Sequence, residues 1–322
     1  MQKFDVIKII AKSKVGENST SNMKLKRWRM ILLIGSFLIL SLLFWLQSNQ
    51  EEVRSSKLNK QTSSSSEGTI DLLLVILSGT NQFSRRKSVR DSYASASQNN
   101  TNNIRYFFIL GIHPKNDSTV KERIREESRL YNDVIQAKFM DTYLNLTTKV
   151  IKGLQWALKT YRHTKYIMKL DDDTWLNVPK TLEFLNKTNI NFTHNVIAKK
   201  RVHAKPFRNP KSKFYVSKRE FNHPYYPDYC DGSGYIMTPE VAHAVVLESR
   251  TIPYFKFEDV YIGMCLKKLD FVITDLRHMT YEVYSEKTHP CSFKNTYLIA
   301  HKVSPSYMHR IWNANCTKQQ KS

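Results

Sequence analysis

Tyr166-Ile167-Met168-Lys169-Leu170-Asp171-Asp172-Asp173 decides how the rest of the chain is read. A largely apolar run of strand length ends abruptly in three carboxylates. Adjacent negative charges repel one another and cost stability unless a cation offsets them. A hard divalent ion with oxygen ligands supplies that charge, and it would bridge a diphosphate. An EF-hand loop is excluded, because no glycine and no closing glutamate stand at the required offsets. A solvated acidic turn, capping a helix that starts near Pro179, is the competing reading.

Working outward, the flanking sequence alternates short apolar runs with helical periods. Upstream, Ile70 to Leu77 has the composition of a strand buried on both faces. A polar, arginine-rich helical stretch runs from Arg85 to Ser97, and Arg105 to Leu110 forms a second strand closed by Gly111. Val120, Ile124 and Tyr131 make a thin helical stripe, and Val134 to Phe139 a short strand. Val150, Leu154, Ala157, Leu158 and Tyr161 keep a helical period, with Thr147 available as N-cap. This alternation calls for an α/β body, 69–322, with a mostly parallel sheet covered by helices on both faces. In such sheets ligands sit at the carboxyl ends of strands, which is where the acid run stands.

The chain before that body is organised differently. Met30 to Leu46 carries no charge and follows Lys24, Lys26, Arg27 and Arg29. As a helix it spans about 25 Å, close to the ~27 Å hydrocarbon thickness of early secretory membranes. A cleaved signal peptide is the alternative; bulky Phe44, Trp45 and Leu46 in the cleavage zone oppose it. The basic residues before the run place the N-terminus in the cytoplasm. The expected organisation is therefore a cytoplasmic tail (1–29), a transmembrane signal anchor (30–46), a Ser-rich lumenal stem (47–68) and the lumenal body. The formal charge of +22 first suggests nucleic acid. However, Lys and Arg are dispersed, no nucleic-acid motif accompanies them, and part of the excess has this topological explanation. Asn99, Asn116, Asn145, Asn186, Asn191 and Asn315 open glycosylation sequons, consistent with a lumenal body. Cys230, Cys265, Cys291 and Cys316 fit no zinc spacing; in an oxidising compartment they allow up to two disulfides in three connectivities, with Cys265 also readable as a buried thiol.

Three further segments carry candidate chemistry. Glu258 and Asp259 open a helix whose apolar face is Val260, Met264, Leu266 and Leu269. Acids there are ordinary capping, or beside a bound donor one of them serves as general base. Asp231-Gly232-Ser233-Gly234-Tyr235 follows an aromatic loop (Tyr225, Tyr226, Tyr229). It reads either as a plain turn or as a place where glycines admit close backbone approach and tyrosines stack on a sugar. His301 follows an apolar run and is structural unless a partner motif makes it a metal ligand. The basic stretch Lys199 to Lys213 is a solvated loop or a phosphate contact.

Taken in order, these motifs resemble the inverting β-1,3-glycosyltransferases of family 31: the β-1,3-galactosyltransferases, β-1,3-N-acetylglucosaminyltransferases, Brainiac-type enzymes and Fringe. The match runs from about Leu72 to Trp312. It includes Arg85-Arg86-Lys87-Ser88-Val89-Arg90-Asp91-Ser92-Tyr93, Phe107-Phe108-Ile109-Leu110-Gly111 and Tyr131-Asn132-Asp133-Val134. The Asp171-Asp172-Asp173 run, Tyr226-Pro227-Asp228-Tyr229, Gly232-x-Gly234-Tyr235 and Glu258-Asp259-Val260-Tyr261-Ile262-Gly263 follow. Tyr93 stands where the family usually has Trp, and Cys230-Asp231 departs from its small residues.

The resemblance implies a GT-A type, Rossmann-like mixed sheet, Mn²⁺ as cofactor and a UDP-sugar (galactose or N-acetylhexosamine) as donor. The acceptor is a glycan on lipid or protein, and the enzyme is a type II protein of the Golgi membrane. Asp173 and His301 would hold the metal, Asp171 and Asp172 would lie near uridine and ribose, and Arg86 and Arg90 would contact the donor. Asp259 would be the base, with Glu258 beside it. A non-catalytic lumenal glycan-binding protein with the same fold is the alternative.

Overall fold

The computed structural model describes residues 70–97 and 103–316. The expected tail, anchor and stem lie outside these residues. No helix among the described residues is long and apolar enough to cross a membrane.

Ten strands run in chain order: β1 (Ile70–Leu77), β2 (Ile104–Ile112), β3 (Val134–Met140), β4 (Thr164–Asp171), β5 (Thr174–Leu176), β6 (Asn195–Arg201), β7 (Tyr229–Met237), β8 (Val272–Asp275), β9 (Thr280–Glu282) and β10 (Ile299–His301). Between them lie α1 (Phe83–Arg90), α2 (Ser118–Tyr131), α3 (Leu146–Thr160), α4 (Val178–Lys187), α5 (Pro239–Glu248), α6 (Glu258–Lys268), the short α7 (Cys291–Lys294) and α8 (Pro305–Asn313).

Seven strands form the main sheet in the order β3-β2-β1-β4-β7-β6-β8. The first four are parallel to one another. β7 then runs antiparallel to both β4 and β6, and β8 is parallel to β6. The sheet is thus mixed, as the resemblance implied. Its parallel half is the part that the alternation of strand and helix made readable.

β1 explains the layering. Strand side chains alternate between faces, and both faces of IDLLLVIL are apolar. Leu72, Leu74 and Ile76 enter one core with Met168, Leu170, Met308 and Ile311. Leu73, Val75 and Leu77 enter the other with Val150, Leu154 and Ala157 of α3. Helices therefore cover the sheet on both sides, and β1 and β4 are its inner strands.

Local signals set the helix boundaries. Asp117 caps α2 by accepting the amides of Thr119 (2.8 Å) and Val120 (3.2 Å), and Asn132 ends it with φ at +52°. Thr238 and Ser304, each followed by proline, cap α5 and α8. Thr147 is not the cap it was expected to be. α3 begins at Leu146, and the Thr147 hydroxyl donates instead to the Phe255 carbonyl at 2.7 Å. The arginine-rich stretch is also shorter as an α-helix than expected: α1 starts at Phe83 and stops at Arg90, and Tyr93–Ser97 is a 3₁₀ turn.

Candidate active site

The acid run ends β4 at the carboxyl edge of the parallel half, and each aspartate is directed differently. Asp172 turns inward and is buried. Its Oδ2 accepts the Ser78 hydroxyl at 2.7 Å, and its Oδ1 accepts Arg85 Nη1 at 2.9 Å. Asp171 pairs with Lys169 Nζ at 2.9 Å. Asp173 faces His301, with Oδ1 3.6 Å from Nε2, and Arg85, with Oδ2 3.3 Å from Nη1.

A second, three-stranded sheet, β5-β10-β9, brings the histidine there. In its register His301 lies opposite Thr174, the residue after Asp173, and beside Glu282 on the other flank. The Val303 amide donates to the Asp173 carbonyl at 2.9 Å and locks the two segments. The Nδ1 atom of His301 sits 3.2 Å from Glu282 Oε1. A carboxylate on one ring nitrogen orients the imidazole and leaves the other nitrogen for a ligand. Glu282 carried no signal in the sequence; only the pairing of β9 with β10 brings it to the histidine.

The opposite wall is β7 with the start of α6. The Gly-rich segment expected as a turn is the interior of β7, a strand of nine residues. Its glycines answer the demand for close approach. A Cβ on Gly234 would stand 2.9 Å from Leu170 Cδ2 and 3.0 Å from Ile299 Cδ1; one on Gly232 would stand 3.3 Å from Glu258 Oε1 and 3.7 Å from Asp259 Oδ2. Any side chain at 232 would crowd the two acids that open α6. Asp259 accepts its neighbouring Val260 amide through Oδ1 at 2.8 Å, so it does part of the capping work. Glu258 does not cap. It reaches Lys169 Nζ at 2.8 Å, and that ammonium also donates to the Gly232 carbonyl. Lys169, fully buried, thus ties the acid run to β7 and α6.

Burial governs the electrostatics. It pushes the carboxyls of Asp172 and Asp173 above their ordinary range; Ser78 and Arg85 offset part of this at Asp172, and the Asp171 charge adds to it at Asp173. It also raises Asp259 and carries Glu258 up to about 7, although Lys169 draws Glu258 the other way. Burial alone would lower the His301 imidazole, but the Glu282 hydrogen bond and the Asp173 charge outweigh it and hold it above its usual value. The hydrogen bond from His301 lowers Glu282 to about 2. A pocket of carboxylates pushed upward gains when a cation enters.

The donor atoms fit one. Asp171, Asp173 and His301 offer ligand atoms that all lie within 4.8 Å of one another, and Asp231, Glu282 and His301 form an overlapping group. Carboxylate oxygen with imidazole nitrogen suits Mn²⁺ as well as several other divalent ions. Sequence reading put Asp171 near the nucleoside; the geometry brings it into the ligand group instead.

Other expectations meet a different geometry. Arg86 and Arg90 do not face the acid run. Arg86 binds both oxygens of Glu127 (2.7 Å at the shortest), and Arg90 binds Asp133 twice at 2.7 Å and Glu127 once at 2.7 Å. Both are buried, so direct donor contact is corrected to a supporting position; Arg85 is the arginine at the acids. Within the basic stretch three side chains are committed to neighbours: Lys200 pairs with Asp228, Arg201 with Asp231, and Arg208 donates to the Val216 and Phe221 carbonyls. Tyr225 and Tyr226 line a cavity of about 840 Å³ with Phe221, Tyr254, Phe255 and Lys267. Glu220 lines that cavity, but none of the acids at the end of β4 or the start of α6 does, so the cluster at the end of β4 carries the chemical reading. Cys291 and Cys316 form a disulfide, while Cys230 and Cys265 are buried free thiols.

Comparison with known proteins places the chain in a family. The family model described as Galactosyltransferase matches residues 84–277. The chain belongs to the galactosyltransferase family. It is 30% identical over 244 residues to the Homo sapiens protein named beta-1,3-galactosyltransferase 5, covering 76% of this chain and 77% of that one. To beta-1,3-galactosyltransferase 1 of Mus musculus it is 29% identical over 254 residues, covering 79% and 76%. Among solved structures, the galactosyltransferase LgtC in complex with donor and acceptor sugar analogs aligns with a TM-score of 0.35 at 12% identity, over 77% of this chain and 92% of that one. A glycosyltransferase involved in glycosylation of the major capsid of PBCV-1 aligns at 0.41 and 10%, over 75% and 98%. Family membership rests on the sequence matches and not on these loose structural likenesses.

Proposed function

We propose that this glycosyltransferase is an inverting β-1,3-transferase that moves galactose or an N-acetylhexosamine from a UDP-sugar to a glycan on lipid or protein. It works in the Golgi lumen as a type II membrane protein, with Mn²⁺ as its metal. The observation that carries the reading is the convergence of Asp171, Asp173 and His301 within 4.8 Å of one another at the carboxyl edge of β4. The names of the relatives at 29–30% identity support the β-1,3 linkage.

When bound, the cation neutralises charge developing on the departing nucleoside diphosphate. Asp171, Asp173 and His301 would hold it, with Glu282 orienting the imidazole through Nδ1. Arg85, half-exposed beside Asp172 and Asp173, is the side chain positioned to meet a phosphate oxygen. Asp259 takes the proton of the attacking acceptor hydroxyl. Its Oδ1 is occupied by the Val260 amide, which leaves Oδ2 on the side of Gly232 to accept. Burial raises the carboxyl above its ordinary value, and a base closer to the working pH removes a proton more effectively. Attack from the face opposite the leaving group inverts the anomeric carbon without a covalent intermediate.

The test is UDP release by the full chain over a panel of UDP-sugars and acceptors, with and without Mn²⁺. Asp173→Asn is expected to abolish metal-dependent UDP binding. Asp259→Asn should keep UDP binding and lose turnover by at least about 100-fold, the low end of a general base's contribution. Turnover that persists undiminished in Asp259→Asn, or UDP affinity indifferent to manganese, would overturn the proposal.

A further inference from the structure

Arg86 of α1 reaches the acid run at one remove, through Ser78, which follows β1, and Arg90 joins it only through Glu127. The Ser78 hydroxyl lies 3.1 Å from Arg86 Nη1 and 2.7 Å from Asp172 Oδ2. A guanidinium can only donate, and a hydroxyl has one proton. Ser78 therefore accepts from Arg86, and its single proton is committed to Asp172. One oxygen of that carboxylate is thereby held inward, and the other faces Arg85.

Arg86 is itself immobilised. Its Nη1 also donates to the Gly79 carbonyl at 2.6 Å, and its Nε and Nη2 grip Glu127 at 2.7–3.0 Å. Glu127, on α2, is buried and takes a further bond from Arg90, which is anchored on Asp133 at the head of β3. Arg86 is fully buried, and Ser78 and Asp172 nearly so, so water has no room to replace a missing member.

We propose that Glu127 and Ser78 are positioning residues for the donor site. Through Arg86 they form a relay, Glu127–Arg86–Ser78–Asp172, that sets the orientation of the Asp172 carboxylate where the nucleotide is held. The inference rests on the reading of the acid run as the donor site. It gives the arginine motif a role other than direct substrate contact: α1 and α2 act on the nucleotide through one hydroxyl.

The test uses the full chain, with UDP in manganese as calorimetric probe and the KM and kcat of whichever UDP-sugar the wild type turns over. Ser78→Ala removes one oxygen and leaves the ion pairs intact. It should weaken UDP binding about 10- to 100-fold, the usual loss when a supporting hydrogen bond is removed from a ligand-binding group. KM for the UDP-sugar should rise in step, with kcat falling less. Glu127→Gln should weaken UDP binding in the same direction, and Glu127→Asp should recover part of the loss. In the Ser78→Ala background Glu127→Gln should cost UDP affinity nothing more, because the route through Ser78 is already cut. Thermal unfolding run alongside separates folding from binding. Variants that lose thermal stability while UDP affinity and KM stay within about twofold of wild type would overturn the relay alone, as would a Glu127→Gln effect that adds in full to Ser78→Ala. A wild-type chain that binds no UDP in manganese would overturn both the relay and the donor-site reading beneath it.

Discussion

Replacing both partners of the Cys291–Cys316 disulfide by serine is expected to destabilise the body by about 3.5 kcal/mol at 25 °C and to weaken the proposed metal site. The two cysteines are 25 residues apart. Closing a loop of that length removes about 12 cal/mol/K of entropy from the unfolded chain, which gives the quoted figure. His301 lies inside this loop, and its strand β10 pairs with β5 through Ala300 opposite Trp175. Urea unfolding followed by tryptophan fluorescence of a Trp156→Phe, Trp312→Phe background weights the signal toward this segment, since Trp175 is buried in the core. With a urea m-value of about 3 kcal/mol/M, the midpoint should fall by about 1 M. Manganese-dependent UDP binding should weaken in the same variant, because the histidine segment is then freer in the competing unfolded and partly opened states. A midpoint displaced by less than about 0.3 M would refute the reasoning, for the cross-link would then constrain nothing that the fold does not already hold.

Arg90→Ala should cost about 3–5 kcal/mol in chemical denaturation, since it takes both guanidinium bonds from the buried carboxylate of Asp133 and one of those on Glu127. Gly234→Ala places a methyl 2.9 Å from Leu170 Cδ2 and 3.2 Å from the Lys169 carbonyl; calorimetric unfolding should register a loss of about 1–3 kcal/mol. Expressed through a secretory pathway, the chain should carry glycan at Asn116 and Asn191, which are exposed, but not at Asn145. The Asn145 side-chain amide donates to the Met140 carbonyl, and Thr147 of its sequon is buried against Phe255. Glycopeptide mass spectrometry distinguishes these outcomes.

Much of the parallel half was legible because its residues announce their surroundings. β1 is apolar on both faces because it is covered on both faces, and its bounds coincide with the apolar run. The aspartate triplet was legible as a candidate site because three adjacent charges need an explanation that local structure does not supply. β7 was not: two glycines among polar residues carry little strand propensity, and they are there because Leu170, Ile299 and the α6 acids press on the backbone. Which arginine of Arg85-Arg86 meets the acids was also hidden. Neighbours on a helix point about 100° apart, and the sequence does not say which direction is inward. Arg86 faces Glu127, a residue of α2 whose position on the far side of β2 only the tertiary fold supplies. Glu282 and the pairing of Cys291 with Cys316 were hidden for the same reason, being contacts between segments that carry no local mark of each other.

Because β10 supplies His301, the proposed cation grip straddles synthesis in time. Asp173 leaves the ribosome with β1 to β4 complete, and His301 follows 128 residues later, about 6 to 26 s at ordinary elongation rates. Until then the nascent sheet has its aspartates but lacks the imidazole, and Glu282, made 19 residues earlier at the end of β9, has no histidine to orient. A chain cut short between β9 and β10 would retain every strand of the seven-stranded sheet while lacking the histidine that closes the proposed metal clasp.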